Sequence, residues 1–341
     1  MAELTVGAGL ARGLVKLAVS KGADAAALAE RSGINLEDLE DQDNRVPMAK
    51  YVALMRAAKE LTGDPALALH WGEAVDLSEV SIVGLIANAA ETMGEAFAQI
   101  NRFGKLAIDF EVEKGGLSER FQMKMDRGGV WMEDARTNPN DFPELTEVGF
   151  ARMTCQPRRF LPKQHVLEVH VTHPAPAYRA EYDRVFQCPV VFDSHWNALK
   201  VDPSAAGHRV ALQPRYVFGV LSERAQELLK ELETSKSARG KVESLLMPIL
   251  HTGDVGIDVI AKKMGLSRQT LFRRLKAEDV TFEQILDELR HKLALNYLGN
   301  KKVSVNETAY LVGFSDPTAF SRAFKRWTGK NPREVRNGKP E

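Results

Sequence analysis

Near the end of the chain, residues able to read a nucleic acid recur at a fixed spacing. GLSRQTLFRRLK, from Gly265, carries Ser267, Arg268, Gln269, Thr270, Arg273 and Arg274. GFSDPTAFSRAFKRWTG, from Gly313, carries Ser315, Asp316, Thr318, Ser321, Arg322, Lys325 and Arg326. Arg matches guanine, Gln matches adenine, and Thr can touch a thymine methyl. Set 48 positions apart without gaps, the stretches coincide at Gly265/Gly313, Ser267/Ser315, Thr270/Thr318, Phe272/Phe320 and Arg274/Arg322. A unit is present twice, and these residues are its candidate DNA-binding set. Which read bases and which hold phosphates is open at this stage.

The spacing around each stretch predicts a helix, a turn and a second helix. A first helix over Ile257–Met264 puts Ile257, Ile260, Ala261 and Met264 on one side, and Gly265 can take the left-handed conformation that ends it. Ser267 is a good N-cap for the second helix, whose Leu271 and Leu275 turn inward. In the second copy, Ser304 and Glu307 make a capping box. Ala309 takes the place of Ala261, Gly313 turns, and Ser315 or Asp316 caps a helix that begins with Pro317. Ala319, Phe320, Ala323, Phe324 and Trp327 are expected inside or against a neighbouring helix, which leaves the polar residues outside. In a helix-turn-helix the second helix lies in the major groove. Between the copies, Phe282, Ile285, Leu286, Leu289, Leu293 and Tyr297 form one stripe of a predicted helix. At 1.5 Å per residue, about 17 residues span ~25 Å, enough to set two reading heads roughly one ~34 Å DNA turn apart.

The last hundred or so residues resemble the DNA-binding domain of the AraC/XylS family of bacterial transcription regulators. The resemblance is carried by Ala309, Gly313, Phe314, Ser315 and Asp316, then Phe320, Arg322, Phe324 and Lys325, then Gly329 and Pro332. Asn331 stands where the family more often has Ser or Thr, Val335 where an aromatic is usual, and Pro317 where a polar residue is usual. RVPMAKYVALMRAAKELTGDPALALHWG and FQCPVVFD more loosely resemble the arabinose-binding-type effector domain of one branch. The resemblance implies double-stranded promoter DNA as partner, a small organic effector, RNA polymerase contact and an effector-responsive activator. Some members of the family carry a DNA-repair methyltransferase that needs clustered cysteines near the N-terminus; here the first cysteine is Cys155, so no enzyme is expected. With only two cysteines and no secretory signal, a cytoplasmic protein is expected, and a homodimer is a further expectation.

Charge divides the chain in the same way. Its formal net charge is +0, yet Lys236–Glu341 carries 20 Lys and Arg against 12 Asp and Glu, a difference of +8, leaving −8 before it. A basic domain often faces phosphate. At 341 residues, with 44% hydrophobic and 27% charged, the chain suits more than one globular domain. No apolar run approaches the ~18–20 residues that cross a bilayer, so no membrane role is expected. Glu3 and Lys16 argue against a secretory signal.

Residues 1–210 read as an α+β effector-binding domain, 211–236 as a helical linker with a dimerisation stripe, and 237–336 as an all-α domain of two helix-turn-helix motifs joined by a long helix. The first ~100 residues have helical periodicity. LAIDFEVE (106–113) and SERFQMKMD (118–126) alternate around Lys114-Gly115-Gly116, which predicts a hairpin. A helix is expected between Pro143 and Phe160, strands at VLEVHVTH (166–173), CPVVFD and NALKVD, and a short helix at Tyr178–Phe186. Val217, Val220, Leu221, Leu228, Leu229 and Leu232 form the linker stripe, which suits a dimer or interdomain contact or packing against its own domain.

Other chemistry is weaker. His165 and His173 share one face of a strand and Glu168 and His170 the other, so no metal site is expected without a bulge. Cys155 and Cys188 form no framework and no zinc cluster, and read as reduced, half-buried thiols. No nucleophile elbow, phosphate loop or dinucleotide fingerprint appears, and no cofactor is expected. His70, Trp71 and Trp131 read as core more readily than as pocket. GADAAALAERSG, followed by NLEDLEDQD, mimics another helix-turn-helix, but its acidic second segment would repel DNA. No motif chooses an effector or its binding residues. The rival reading is a regulator that acts through protein contacts alone, using the duplicated unit for docking.

Overall fold

Helical periodicity with Gly or cap residues at each end builds most of the first unit. The computed structural model describes residues 4–111, 119–126, 128–210, 215–253, 255–299 and 303–337. Two compact units share the chain, one ending at Leu229 and the other beginning at Lys230. In the first unit, α1 (Ala8–Ser20), α2 (Ala25–Ser32), α3 (Met48–Thr62), α4 (Leu67–Ala74), α5 (Leu77–Val80), α6 (Ile82–Ala89) and α7 (Met93–Ala107) follow one another. Short strands β1 (Thr5–Gly7) and β2 (Arg45–Pro47) pair antiparallel beneath them. Leu10, Leu14, Leu54, Met55, Ile86 and Phe103 are buried in the core these helices share. After Ser32, Gly33 takes φ +65° and a 3-10 turn, Leu36–Leu39, follows instead of a second α-helix.

Strands β3 (Phe121–Asp126), β4 (Gly129–Asp134), β5 (Val166–His170), β6 (Val190–Val191) and β7 (Ala198–Val201) form a sheet in the order β3-β4-β7-β5-β6. Neighbours are antiparallel except β5 with β6. Between them lie α8 (Glu144–Cys155) and α9 (Arg179–Phe186). Val169, Leu199, Met132 and Phe121 turn one face of the sheet onto Phe150, Tyr182 and Phe186 of these helices. The sheet thus covers α8 on one side, and α4 crosses it on the other. That crossing requires Gly72, because a Cβ there would sit 2.5 Å from the Val148 carbonyl oxygen.

The expected hairpin differs. Leu106 and Ala107 finish α7, and Ile108 bridges back to Val6. β3 instead pairs with Gly129–Asp134, where Lys124 faces Trp131 and Met125 faces Val130. Lys114-Gly115-Gly116 lies outside the described residues. Alternation marked the strand correctly, but helix α7 claimed the first half of its supposed partner.

Helix α10 (Arg215–Lys236) brings Phe218, Leu221, Ala225 and Leu229 onto the first unit's core. Leu221 thus follows the own-domain alternative for the linker stripe, whereas Val220 and Tyr216 remain exposed.

The second unit contains α11 (Ala238–Leu246), α12 (Ile257–Lys263), α13 (Arg268–Ala277), α14 (Phe282–Gly299), α15 (Val305–Leu311), α16 (Pro317–Thr328) and α17 (Pro332–Asn337). One apolar cluster joins them: Val242, Leu246 and Leu250 meet Ile260, Leu271, Leu275, Ile285, Leu289, Phe320 and Phe324. Helix α14 is the expected strut, with 18 residues. The two turning glycines differ in surroundings. Gly265 (φ +65°) has nothing near its missing Cβ, whereas a Cβ on Gly313 (φ +78°) would lie 2.2 Å from the Leu250 carbonyl oxygen. The Arg290 guanidinium donates to the carbonyls of Val312 (3.1 Å) and Gly313 (3.2 Å), clasping the second turn to the strut. Gly265→Ala should therefore cost only the ~1–2 kcal/mol of a left-handed L-residue. Gly313→Ala should cost clearly more in urea unfolding; equal losses would show that the Leu250 contact does not constrain the turn.

Candidate nucleic-acid interface and ligand cavity

Each reading helix is fixed at its start by a side-chain cap. Ser267 Oγ accepts from Thr270 N at 3.1 Å and also bonds the Thr270 hydroxyl at 2.9 Å. In the second copy the cap is Asp316, which accepts from Thr318 N and Ala319 N, both at 3.0 Å. Those two N–H groups hold the Asp316 carboxyl below its ordinary range. Ser315 lies in the turn and is exposed. The capping box of Ser304 and Glu307 opens α15 as expected.

The two copies are equivalent with a shift that the ungapped pairing hides. Their first helices keep the 48-residue offset, with Ile260 and Ala261 buried in one and Thr308 and Ala309 in the other. Their second helices are offset by 49. Ser267 and Asp316 are the caps, and buried Leu271 and Leu275 correspond to buried Phe320 and Phe324. The second turn has one more residue. Phe272 is accordingly 55% exposed while Phe320 is fully buried. Arg322 corresponds to Arg273, not to Arg274 as the ungapped pairing implied. Ala319, expected inside, is exposed for the same reason.

Arg268, Gln269, Arg273 and Arg274 are exposed on α13, with Thr270 half-buried beside its cap. Thr318, Arg322, Lys325 and Arg326 are exposed on α16. Not all are equally free. Arg268 pairs with Asp258 at 3.3 Å, and Arg326 with Asp287 of the strut at 2.7 Å. Ser321 is half-buried and its hydroxyl donates to the Pro317 carbonyl at 2.9 Å. Arg273, Arg274, Arg322 and Lys325 form no ion pair among the described residues. The inner side of α16 belongs to an aromatic cluster in which Phe320 and Phe324 lie 5.6 Å apart and Phe314 meets Trp327 at 6.1 Å.

In the first unit a cavity of about 350 Å³ opens between α6, α7, α8 and the sheet. Phe97, Ile100, Met123, Met132, Val166 and Val201 make its wall apolar, and Arg152 and His165 are its buried polar residues. No sequence motif marked it; it forms only where the sheet closes over α7 and α8. His70, Trp71 and Trp131 do not line it. His70 bridges Asp64 (2.7 Å) and Glu181 (2.8 Å), Trp71 is core, and Trp131 packs on Trp196 at 5.0 Å and His170 at 4.9 Å.

On β5, Glu168 and His170 share a face and bond at 2.9 Å. His173 turns to the Tyr182 hydroxyl and His165 to the Met153 carbonyl. The strand has its irregularity at Val166/Glu168. Among the described residues no three His, Cys, Asp or Glu side chains converge as a metal site. Cys155 and Cys188 are free and half-buried, and burial pushes both thiols up, Cys188 to about 11. No helix of the described residues is long and apolar enough to cross a membrane.

An α+β unit with a ligand-sized cavity, joined to a helical unit with two helix-turn-helix motifs, defines a DNA-binding transcription regulator with an effector-binding N-terminal domain. Family models agree. The arabinose-binding domain of the AraC transcription regulator, N-terminal, matches residues 22–210, and a helix-turn-helix domain matches residues 260–338. The chain belongs to the AraC-type family of transcription regulators. It is 36% identical to the HTH-type transcriptional regulator VqsM of Pseudomonas aeruginosa over 79% of this chain and 83% of that one. It is 26% identical to the ornithine utilization regulator of the same organism over 96% and 94%. A crystal structure of the transcriptional regulator CdpR from Pseudomonas aeruginosa matches at TM-score 0.36 and 21% identity, covering 80% of this chain and 87% of that one.

The one-residue shift has a direct stability signature. Phe320→Ser should cost ~3–5 kcal/mol, as for other emptied core positions, whereas Phe272→Ser should fall within about 0.5 kcal/mol of wild type. Similar losses for both in chemical denaturation would restore the ungapped pairing.

Proposed function

We propose that one chain reads two adjacent major-groove segments, with Arg268, Gln269, Arg273 and Arg274 facing the first and Thr318, Arg322 and Lys325 the second. Ser267, Thr270, Ser315, Asp316, Ser321 and Arg326 set the pose of the helices and add contacts at their edges. The observation that carries this reading is the equivalence of Arg273 and Arg322, each exposed six residues after its cap, Ser267 or Asp316, and opposite the residues that seat the helix. Arg268 exchanges its exposed Asp258 partner for DNA at little cost, because such pairs contribute ~0–1 kcal/mol. A ligand in the N-terminal cavity changes how the paired heads sit on promoter DNA, and the outcome is activation through contact with RNA polymerase.

Homodimerisation belongs to the same reading, with the exposed Tyr216 and Val220 of α10 as its surface. Sedimentation of Tyr216→Asp/Val220→Asp should give a smaller species than wild type; an unchanged oligomer rejects this surface.

Gel shifts on DNA upstream of the regulated promoter, at two salt concentrations, test the heads. Arg273→Ala and Arg322→Ala should each lose ~1–3 kcal/mol if the residue reads a base, confined to one base pair, or flatten the salt slope by about one if it holds a phosphate. Wild-type binding by both variants across salt would reject the assignment and favour a regulator that works by protein contact alone.

A further inference from the structure

The N-terminal cavity contains a charge that the protein itself leaves unanswered. Arg152, on α8, is 9% exposed and lines the cavity. Its neighbours Arg120 and Arg136 are also buried, but both reach Asp134: Arg120 at 3.0 and 2.8 Å, Arg136 at 3.1 Å to both oxygens. No carboxylate lies within ion-pair distance of Arg152 among the described residues, and no hydrogen bond reaches its guanidinium. Burial, then the nearby Arg120 charge, pushes it down to about 10, so it remains a cation near neutrality. A buried cation without a partner is costly, and buried charges are ordinarily paired.

The rest of the wall narrows the choice. Asp76 already accepts from Ser78 N (2.9 Å) and Ser78 Oγ (2.6 Å), and Asp202 from Ser204 N (2.9 Å). Both carboxylates serve their own turns and are only half-buried. Gln156 donates to the carbonyls of Glu73 and Val75. His165 donates through Nε2 to the Met153 carbonyl at 2.9 Å, and its Nδ1 is buried without a partner. That ring nitrogen can accept a hydroxyl or amide hydrogen. Asn88 adds one half-buried amide; the remaining wall is apolar, and Met123, Arg159 and Phe160 are exposed around it.

We infer that the cavity binds an apolar monocarboxylate, with Arg152 holding the carboxylate and the hydrocarbon body lying among Phe97, Ile100, Met123 and Met132. This rests on the reading of the N-terminal unit as an effector domain. At ~30 Å³ per water, the volume of about 350 Å³ suits a ligand of up to about twelve non-hydrogen atoms and lies within the usual range of small-molecule sites.

Calorimetry and thermal melts on the full chain, with hexanoate, octanoate and decanoate against 1-octanol and octylamine, test the inference. At least one carboxylate should bind and raise the melting temperature, with the alcohol and the amine at least about tenfold weaker. Arg152→Gln should weaken carboxylate binding by at least about thirtyfold, the scale of losing one partner of a buried charge pair. The ligand-free variant should melt no lower than wild type, because an unpaired charge has been removed. Arg152→Lys should retain part of the preference. Octanol or octylamine binding as well as octanoate, or no carboxylate binding, overturns the inference from wild type alone, even if Arg152→Gln does not fold. A carboxylate preference that survives in a folded Arg152→Gln does the same. Gel shifts on the same samples separate the two readings. A carboxylate that binds without altering DNA affinity leaves the ligand class standing and removes its effector role. DNA binding that answers only to non-carboxylate metabolites does the reverse.

Discussion

A short helix that must face DNA can be held only by the apolar stripe on its opposite side. In this chain the large side chains of that stripe are Leu271 and Leu275 in one reading head and Phe320 and Phe324, flanking buried Ala323, in the other. The four large ones enter one cluster with Ile285 and Leu289 of the strut. Everything exposed on α13 and α16 takes its direction from those four side chains, because a rotation by one residue turns a helix by ~100°. The caps then fix where each helix begins. Ser267 accepts one backbone N–H in the first turn of its helix and Asp316 two. The second head is the more tightly held, since Leu250 and Arg290 close on its turn while Gly265 lies open.

The N-terminal unit obeys a different constraint. Its sheet and helices enclose α8, and the close crossing at Gly72 sets the position of that helix. One consequence is a satisfied buried network at Asp134; another is an unsatisfied guanidinium one turn from the end of α8 at the wall of an apolar cavity. A buried polar group without a partner is unusual in a folded protein. Its presence in a cavity of ligand size makes that wall the natural place for an effector.

The sequence made the heads legible because their signals are local. Gly265, Gly313, the Ser267 cap, the Ser304/Glu307 box and the helical stripes all act within a turn or two, and so did the alternation of β5 and β7. Signals that depend on distant partners were not legible. β3 paired with Gly129–Asp134 because α7 runs on to Ala107, which nothing in LAIDFEVE declares. The extra residue in the second turn hid behind five coincident letters, and only burial distinguishes Phe272 from Phe320. No sequence motif singled out Arg152; that no carboxylate among the described residues meets it is a fact of the tertiary structure alone. Asp287, which engages Arg326, is likewise 39 residues away.

Two equivalent reading heads on one rigid strut demand two DNA contacts at a fixed spacing. Selection of binding sites from random double-stranded DNA by the full chain, followed by hydroxyl-radical footprinting, tests that demand most directly. Two short enriched blocks are expected, separated by about one helical turn, ~10–10.5 base pairs, and protected on the same face, with binding lost when five base pairs are inserted between them. A single enriched block, or binding indifferent to that insertion, would contradict it.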